Sequence, residues 1–206
     1  MIVQNLLALM GLVFMAGGWF VYLVTQNRHS SLFVVYCCLT AVHWAGPPTL
    51  APGLIDDFLL GLFIIFGSAL MESVFLHLAL EFSTSPLPKW LLALVYLPPL
   101  AGILLLAMVS LSSLEIDLLL PVYMVGMAWG IAAGLTWLFR LVTNRIPRFP
   151  LSQRALIAAS LVLAWLPNTL ANSGLFGESA YWGLTNMSML LLLAGISWLL
   201  IRRPVL

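Results

Sequence analysis

The chain has 206 residues, 63% of them hydrophobic and only 7% charged, and a net charge of +1. Soluble domains carry about a quarter charged residues, so this composition excludes an ordinary soluble fold and points to the membrane class. A spanning helix needs about 20 apolar residues, which leaves room for seven spans with short loops as a single domain over residues 1–206. The near-neutral charge gives no case for nucleic acid.

The opening stretch MIVQNLLALMGLVFMAGGWF lacks the basic segment and cleavage site of a secretory signal, so it reads as a retained first helix. That first span runs from Ile2 to Val24 and ends at the polar Thr25–His29. The second covers Leu32 to Gly46, before Pro47 and Pro48. Its adjacent Cys37 and Cys38 lie in an apolar run and do not make a disulfide scaffold. A loop with Pro52, Asp56 and Asp57 leads to the third span, Phe58 to Leu80. Pro86 and Pro88 break the chain before the fourth, Trp90 to Leu111. Glu115 and Asp117 mark the next loop. Pro121 then suits the first turn of a fifth helix, where its missing donor costs nothing, and this helix ends near Val142. The segment TNRIPRFPLSQR separates it from the sixth, Ala155 to Leu170. Asn172-Ser173-Gly174 precedes the seventh, Tyr181 to Ile201.

The basic residues set the orientation. Arg28, Lys89, Arg140, Arg145, Arg148, Arg154, Arg202 and Arg203 all fall on one side of this map. Asp56, Asp57, Glu115, Asp117 and Glu178 fall on the other. Short basic loops stay cytoplasmic, so the expected fold is an all-α, seven-helix bundle in a bacterial inner membrane, N-terminus out and C-terminus in. Trp90, Trp182 and Trp198 sit near span boundaries, where an aromatic belt forms, while Trp129 and Trp165 lie deeper as packing groups.

Glu72 is the residue most out of place, with apolar neighbours on every side in GSALMESVFLHLAL. An acid there costs a few kcal/mol, so it is expected to face the bundle, partnered or neutral. It serves either an interhelical hydrogen bond or a ligand, ion or proton site. His77 and Glu81 share a helix face toward the cytoplasmic interface. Glu72 and His77 are about 140° apart around the helix, a poor pair for one metal ion. His43 and Glu72 lie at depths of about 17 and 14 Å. A contact between them is therefore open, as is a core histidine beside Trp44. Pro98 and Pro99 are expected to bend the fourth span, and Pro167 the sixth. Asn168 and Asn172, with Asn186, line a pocket there or meet headgroups at a frayed end. Gly126, Gly130 and Gly134 form one stripe of the fifth span, which favours an internal helix pair over a dimer or foreign subunit.

Several classes drop out. The single lysine, Lys89, stands at a loop boundary, so no buried amine is available for a retinal Schiff base. The three histidines match no ligand set, and His43 and His77 differ in depth, against a haem pair. No nucleophile, base and acid share a depth, no half echoes the other as transporter repeats do, and no polar filter segment is present.

The residues Phe75, His77, Leu80, Phe82, Pro86, Trp90, Tyr96 and Pro98, within the stretch Glu72–Leu106, form a pattern of F-x-H, aromatic and Pro positions. A short basic loop and an aliphatic-Tyr-aliphatic-Pro helix follow. The stretch resembles the N-terminal seven-helix membrane region of a family of bacterial sensor histidine kinases. The last helix, running into Arg202 and Arg203, is similar to that family's junction with its cytoplasmic part. The resemblance implies seven helices with a cytoplasmic C-terminus and supplies no catalytic residues. Members continue into phospho-accepting and ATP-binding domains, neither of which is legible here, so a chain that does not phosphorylate is expected. The first expectation is a non-catalytic accessory subunit of a larger membrane complex, contacting lipids and other membrane subunits, with the glycine stripe used for docking. The alternative is an orphan sensor binding a small or lipidic ligand near Glu72 and His43. A small secondary transporter comes third.

Overall fold

The computed structural model describes residues 2–44, 61–62, 65–82, 87–111, 119–143, 150, 152, 154–159, 161–163 and 180–202. Among them every regular element is helical and none is a strand. The first two helices, α1 (Ile2–Thr25) and α2 (Arg28–Trp44), are joined by only two residues. Gln26 makes the turn at φ 44°, and its N–H bonds the Tyr22 carbonyl at 2.8 Å. Asn27 then caps α2. Its Oδ1 accepts the Ser30 N–H at 2.9 Å, while Ser30 Oγ accepts the Asn27 N–H at 3.1 Å. Such a reciprocal box satisfies two donors at a helix start. This is why α2 begins at Arg28 and not at Leu32: the stretch that reads as loop by composition is a helix cap.

The third expected span departs from a plain α-helix. A π-helical stretch, Ile65–Leu70, leads directly into α3 (Met71–Glu81). π turns are rare and appear mostly as single bulges near functional sites. Here Gly67, Ser68 and Ala69 carry the wider turn. It brings the Ala69 backbone against Gly126 of the helix Leu120–Val142, where an added β-carbon would lie 3.0 Å from Ala69 Cα.

The next helix, α4 (Lys89–Leu111), runs as one element through Pro98 and Pro99, both buried. Pro99 lacks the N–H that would bond the Val95 carbonyl one turn back. Trp129 of α5 (Leu120–Val142) supplies it, its Nε1 donating to that carbonyl at 2.9 Å. Helical residues 154–159 and 161–163 form α6, tied to α5 by Arg154 Nη1 donating to the Leu141 carbonyl at 3.2 Å. The last helix is α7 (Ala180–Arg202), with Arg202 lying 4.6 Å over the Trp198 ring.

α1 packs between α2 and α7, α3 packs between α2 and α5, and α4 lies against the π-helical stretch, α3 and α5. The main core gathers Phe14, Phe33, Tyr36, Phe75, Trp137 and Leu192 from α1, α2, α3, α5 and α7. A smaller cluster of Ile65, Ala69, Leu106, Leu119 and Val122 holds the other end of α4 and α5. The outer surface is also apolar: Leu23, Leu104 and Met124 are each more than 60% exposed. Two stretches, Lys89–Met108 and Leu120–Val142, are long and apolar enough to cross a membrane.

Candidate functional site

Among the described residues, two polar groupings interrupt this apolar interior. The first surrounds Glu72, in the first turn of α3. Its carboxyl group fills the place where a side chain on Gly130 would begin. An added β-carbon would lie 2.7 Å from Oε2, 2.8 Å from Cδ and 3.2 Å from Oε1. Gly130 is thus spent on the contact of α5 with α3 and Gly126 on its contact with the π-helical stretch, and Gly134 is buried on the same helix. Protein surrounds Glu72 densely, yet it keeps accessible surface and is half-buried by area. The phenols of Tyr36 on α2 and Tyr123 on α5 stand within electrostatic range of it. Tyr36 is held flat against Phe75, the rings 4.9 Å apart. Among the described residues no hydrogen bond or ion pair of the Glu72 carboxyl is seen. A carboxyl so placed can take up a proton, bind a cation or accept a hydrogen bond from a ligand.

His43 reaches the π-helical stretch, its ring bonding the Gly67 backbone. It therefore stands beside the residues that lead into Glu72, on the neighbouring helix. Gly67 precedes Glu72 by five residues in the same helical run, so His43 ties α2 to the stretch that leads into the acid.

The second grouping fastens the other end of α3. Arg28 of α2 makes an ion pair with Glu81 Oε1 at 2.9 Å. The same oxygen lies 3.3 Å from Nε2 of His77. An ionised carboxylate only accepts, so Nε2 carries the hydrogen, and Nδ1 of the neutral ring accepts the Tyr96 hydroxyl of α4 at 2.8 Å. His29 Nε2 donates to the Glu81 carbonyl at 3.2 Å, and its ring lies 5.0 Å from Phe82. Phe82 in turn meets Trp137 of α5 at 4.7 Å. Three helices are tied by one imidazole and one carboxylate.

The expected polar residues are therefore not one site. Glu72 and His43 belong to the α2–α3–α5 interior, and His77 belongs to the network with Glu81. Asn168 and Asn172 lie outside the described residues. Sequence reasoning saw that His77 and Glu81 share a face but missed Arg28 and Tyr96 as their partners, which come from other helices. It also missed Trp129, for which an aromatic at the depth of a Pro-Pro pair is a usable signal. Among the described residues no group of three or more His, Cys, Asp and Glu could hold a metal ion, and Cys37 and Cys38 are free thiols. Set against family models, curated proteins and solved structures, the chain matches none of them.

Proposed function

We propose that this chain is a seven-span bundle of a bacterial inner membrane, N-terminus out and C-terminus in, and that it acts as a sensor-like module responding to a small or lipidic ligand at Glu72. The observation that carries the functional reading is the Glu72 carboxyl itself, set in an apolar interior with no described partner and with Gly130 kept bare to admit it. A polar group in hydrocarbon is costly, and such residues commonly mark binding or proton sites. The likeness of the Phe75–Pro98 stretch to sensor membrane regions points the same way. Four helices of 23 or 24 residues, each about 35 Å long at 1.5 Å per residue, support the membrane part. So does the one-sided placement of basic residues.

The reading as an accessory subunit of a larger complex is the second proposal, resting on the exposed apolar rows of α1, α4 and α5. Its expected docking stripe is largely used inside the bundle: Gly126 meets Ala69 of the π-helical stretch, Gly130 meets Glu72 of α3, and Gly134 is buried. A partner would therefore have to dock on large side chains.

One measurement addresses both. Native mass spectrometry of the full chain, released from membranes in mild detergent, is expected to show a small-molecule adduct on the wild type and none on Glu72→Gln. Identical spectra for the two would remove the ligand reading. A stoichiometric second protein in both spectra would favour the subunit instead.

A further inference from the structure

We propose that the network at the Arg28 end of the bundle is a proton-operated clasp, in which His77 and Arg28 compete for one oxygen of Glu81. The geometry is specific. Oε1 of Glu81 receives Arg28 at 2.9 Å and His77 at 3.3 Å, while Nδ1 of the same imidazole holds Tyr96 at 2.8 Å. Of these bonds, Arg28–Glu81 joins α2 to α3 and Tyr96–His77 joins α4 to α3, but His77–Glu81 lies within α3.

With a neutral ring, all three bonds stand together. When His77 takes a proton from bulk water, that proton resides on Nδ1. The ring can no longer accept the Tyr96 hydroxyl, which must turn its hydrogen elsewhere. Nε2, which already donates to the ionised Oε1, now does so from a cation, and the attraction of opposite charges strengthens that bond. The imidazolium also repels the guanidinium across a shared oxygen. Arg28 has a side chain 65% exposed against 13% for Glu81, so it leaves for water at little cost, as exposed ion pairs contribute little. Uptake of one proton thus releases two interhelical ties and strengthens the bond already present inside α3.

Among the described residues, the charged and titratable groups near His77 come from three helices. Arg28 and His29 approach from α2, Glu81 from α3 and Tyr96 from α4. From α5, Trp137 packs against Phe82 at the same end of α3. His29 donates to a backbone carbonyl in either charge state, so it acts as a fixed post while His77 changes partners. The clasp stands whether or not Glu72 meets a ligand.

The test uses the full chain in lipid nanodiscs, with Cys37→Ala and Cys38→Ala and spin labels at Ser31→Cys and Lys89→Cys, both exposed positions at this end of α2 and α4. Dipolar electron–electron spectroscopy is recorded at about pH 8 and about pH 5, either side of the ordinary imidazole range. The wild-type network is expected to lengthen its modal distance by about 2 Å at the lower pH, the size of helix shifts that switch states. His77→Gln is expected to keep the high-pH distance at both values. Arg28→Gln removes only the α2–α3 tie, so it is expected to start at a longer distance than the wild type at about pH 8 and to respond less at about pH 5. A wild-type distance indifferent to pH, or a His77→Gln distance that moves like the wild type, overturns the clasp. Should His77→Gln fail to fold, Glu81→Gln replaces it. That variant lacks the Arg28 tie at both pH values and leaves only the Tyr96 tie to respond, so its change with pH must be smaller than the wild type's, and a change as large overturns the clasp.

Discussion

A β-carbon placed on Gly130 would begin inside the Glu72 carboxyl group, 2.7 Å from Oε2, while one on Gly126 would meet the Ala69 backbone at 3.0 Å. The two glycines therefore differ in what must yield. Glu72 is the end of a flexible side chain and can swing away, whereas the Ala69 backbone is locked in the π-helical stretch. Overpacking of a fitted interior typically costs about 1–3 kcal/mol. Gly126→Ala is expected at the upper end of that range, and Gly130→Ala at the lower, in reversible unfolding in mixed micelles. The Gly130→Ala cost should fall further in a Glu72→Ala background, where the obstructing group is gone. Equal penalties in both backgrounds would show that Glu72 is not what Gly130 accommodates. The prominence of Glu72 was legible in the sequence because a lone acid in an apolar run needs no neighbours to be noticed. Its relation to Gly130 was not, since the two residues are on different helices and nothing in either run encodes the pairing.

Helix α4 carries a cost that another element offsets. Pro98 and Pro99 each remove a backbone donor, and the Val95 carbonyl left open by Pro99 is answered by the Trp129 indole of α5. Trp129→Phe keeps the aromatic bulk but leaves that carbonyl without its donor, and is expected to destabilise the protein by about 1 kcal/mol, the scale of interhelical bonds in membrane proteins. Pro99→Ala restores the N–H within α4, so the cost of Trp129→Phe should shrink toward zero in that background. A double-mutant cycle with no coupling would refute the compensation. Element positions were largely readable: α5 starts with Pro121 in its first turn, and α7 spans Ala180–Arg202 against an expected Tyr181–Ile201. The two departures have local causes. The Asn27–Ser30 box pulls α2 back to Arg28, and small residues at 67–69 admit a π turn where apolar periodicity alone expects a uniform helix.

At the scale of the whole molecule, the two α4 and α5 stretches long and apolar enough to cross a membrane leave the path of the remaining chain to be tested. The proposed orientation makes a sharp claim about where single thiols lie. With Cys37→Ala and Cys38→Ala in place, the two native thiols no longer compete for label, and cysteines can be set one at a time at Lys89, Thr143 and Arg202. The first opens α4, the second follows α5 and the third ends α7. If the basic residues mark the cytoplasmic side, a membrane-impermeant maleimide added to intact spheroplasts should leave all three unlabelled. The same reagent should label them once the membrane is opened. A cysteine at Leu120, at the opposite end of α5, should react in intact spheroplasts. The pair on α5 is the decisive one, because a span of 23 residues is about 35 Å long and its two ends cannot share a side if it crosses upright. Thr143 and Leu120 reacting alike would mean that α5 does not span, and with it the seven-span count would fall. Opposite reactivity with Thr143 outside would keep the spans and invert the protein, placing the Arg28–Glu81–His77 clasp toward the periplasm, where it would meet external pH.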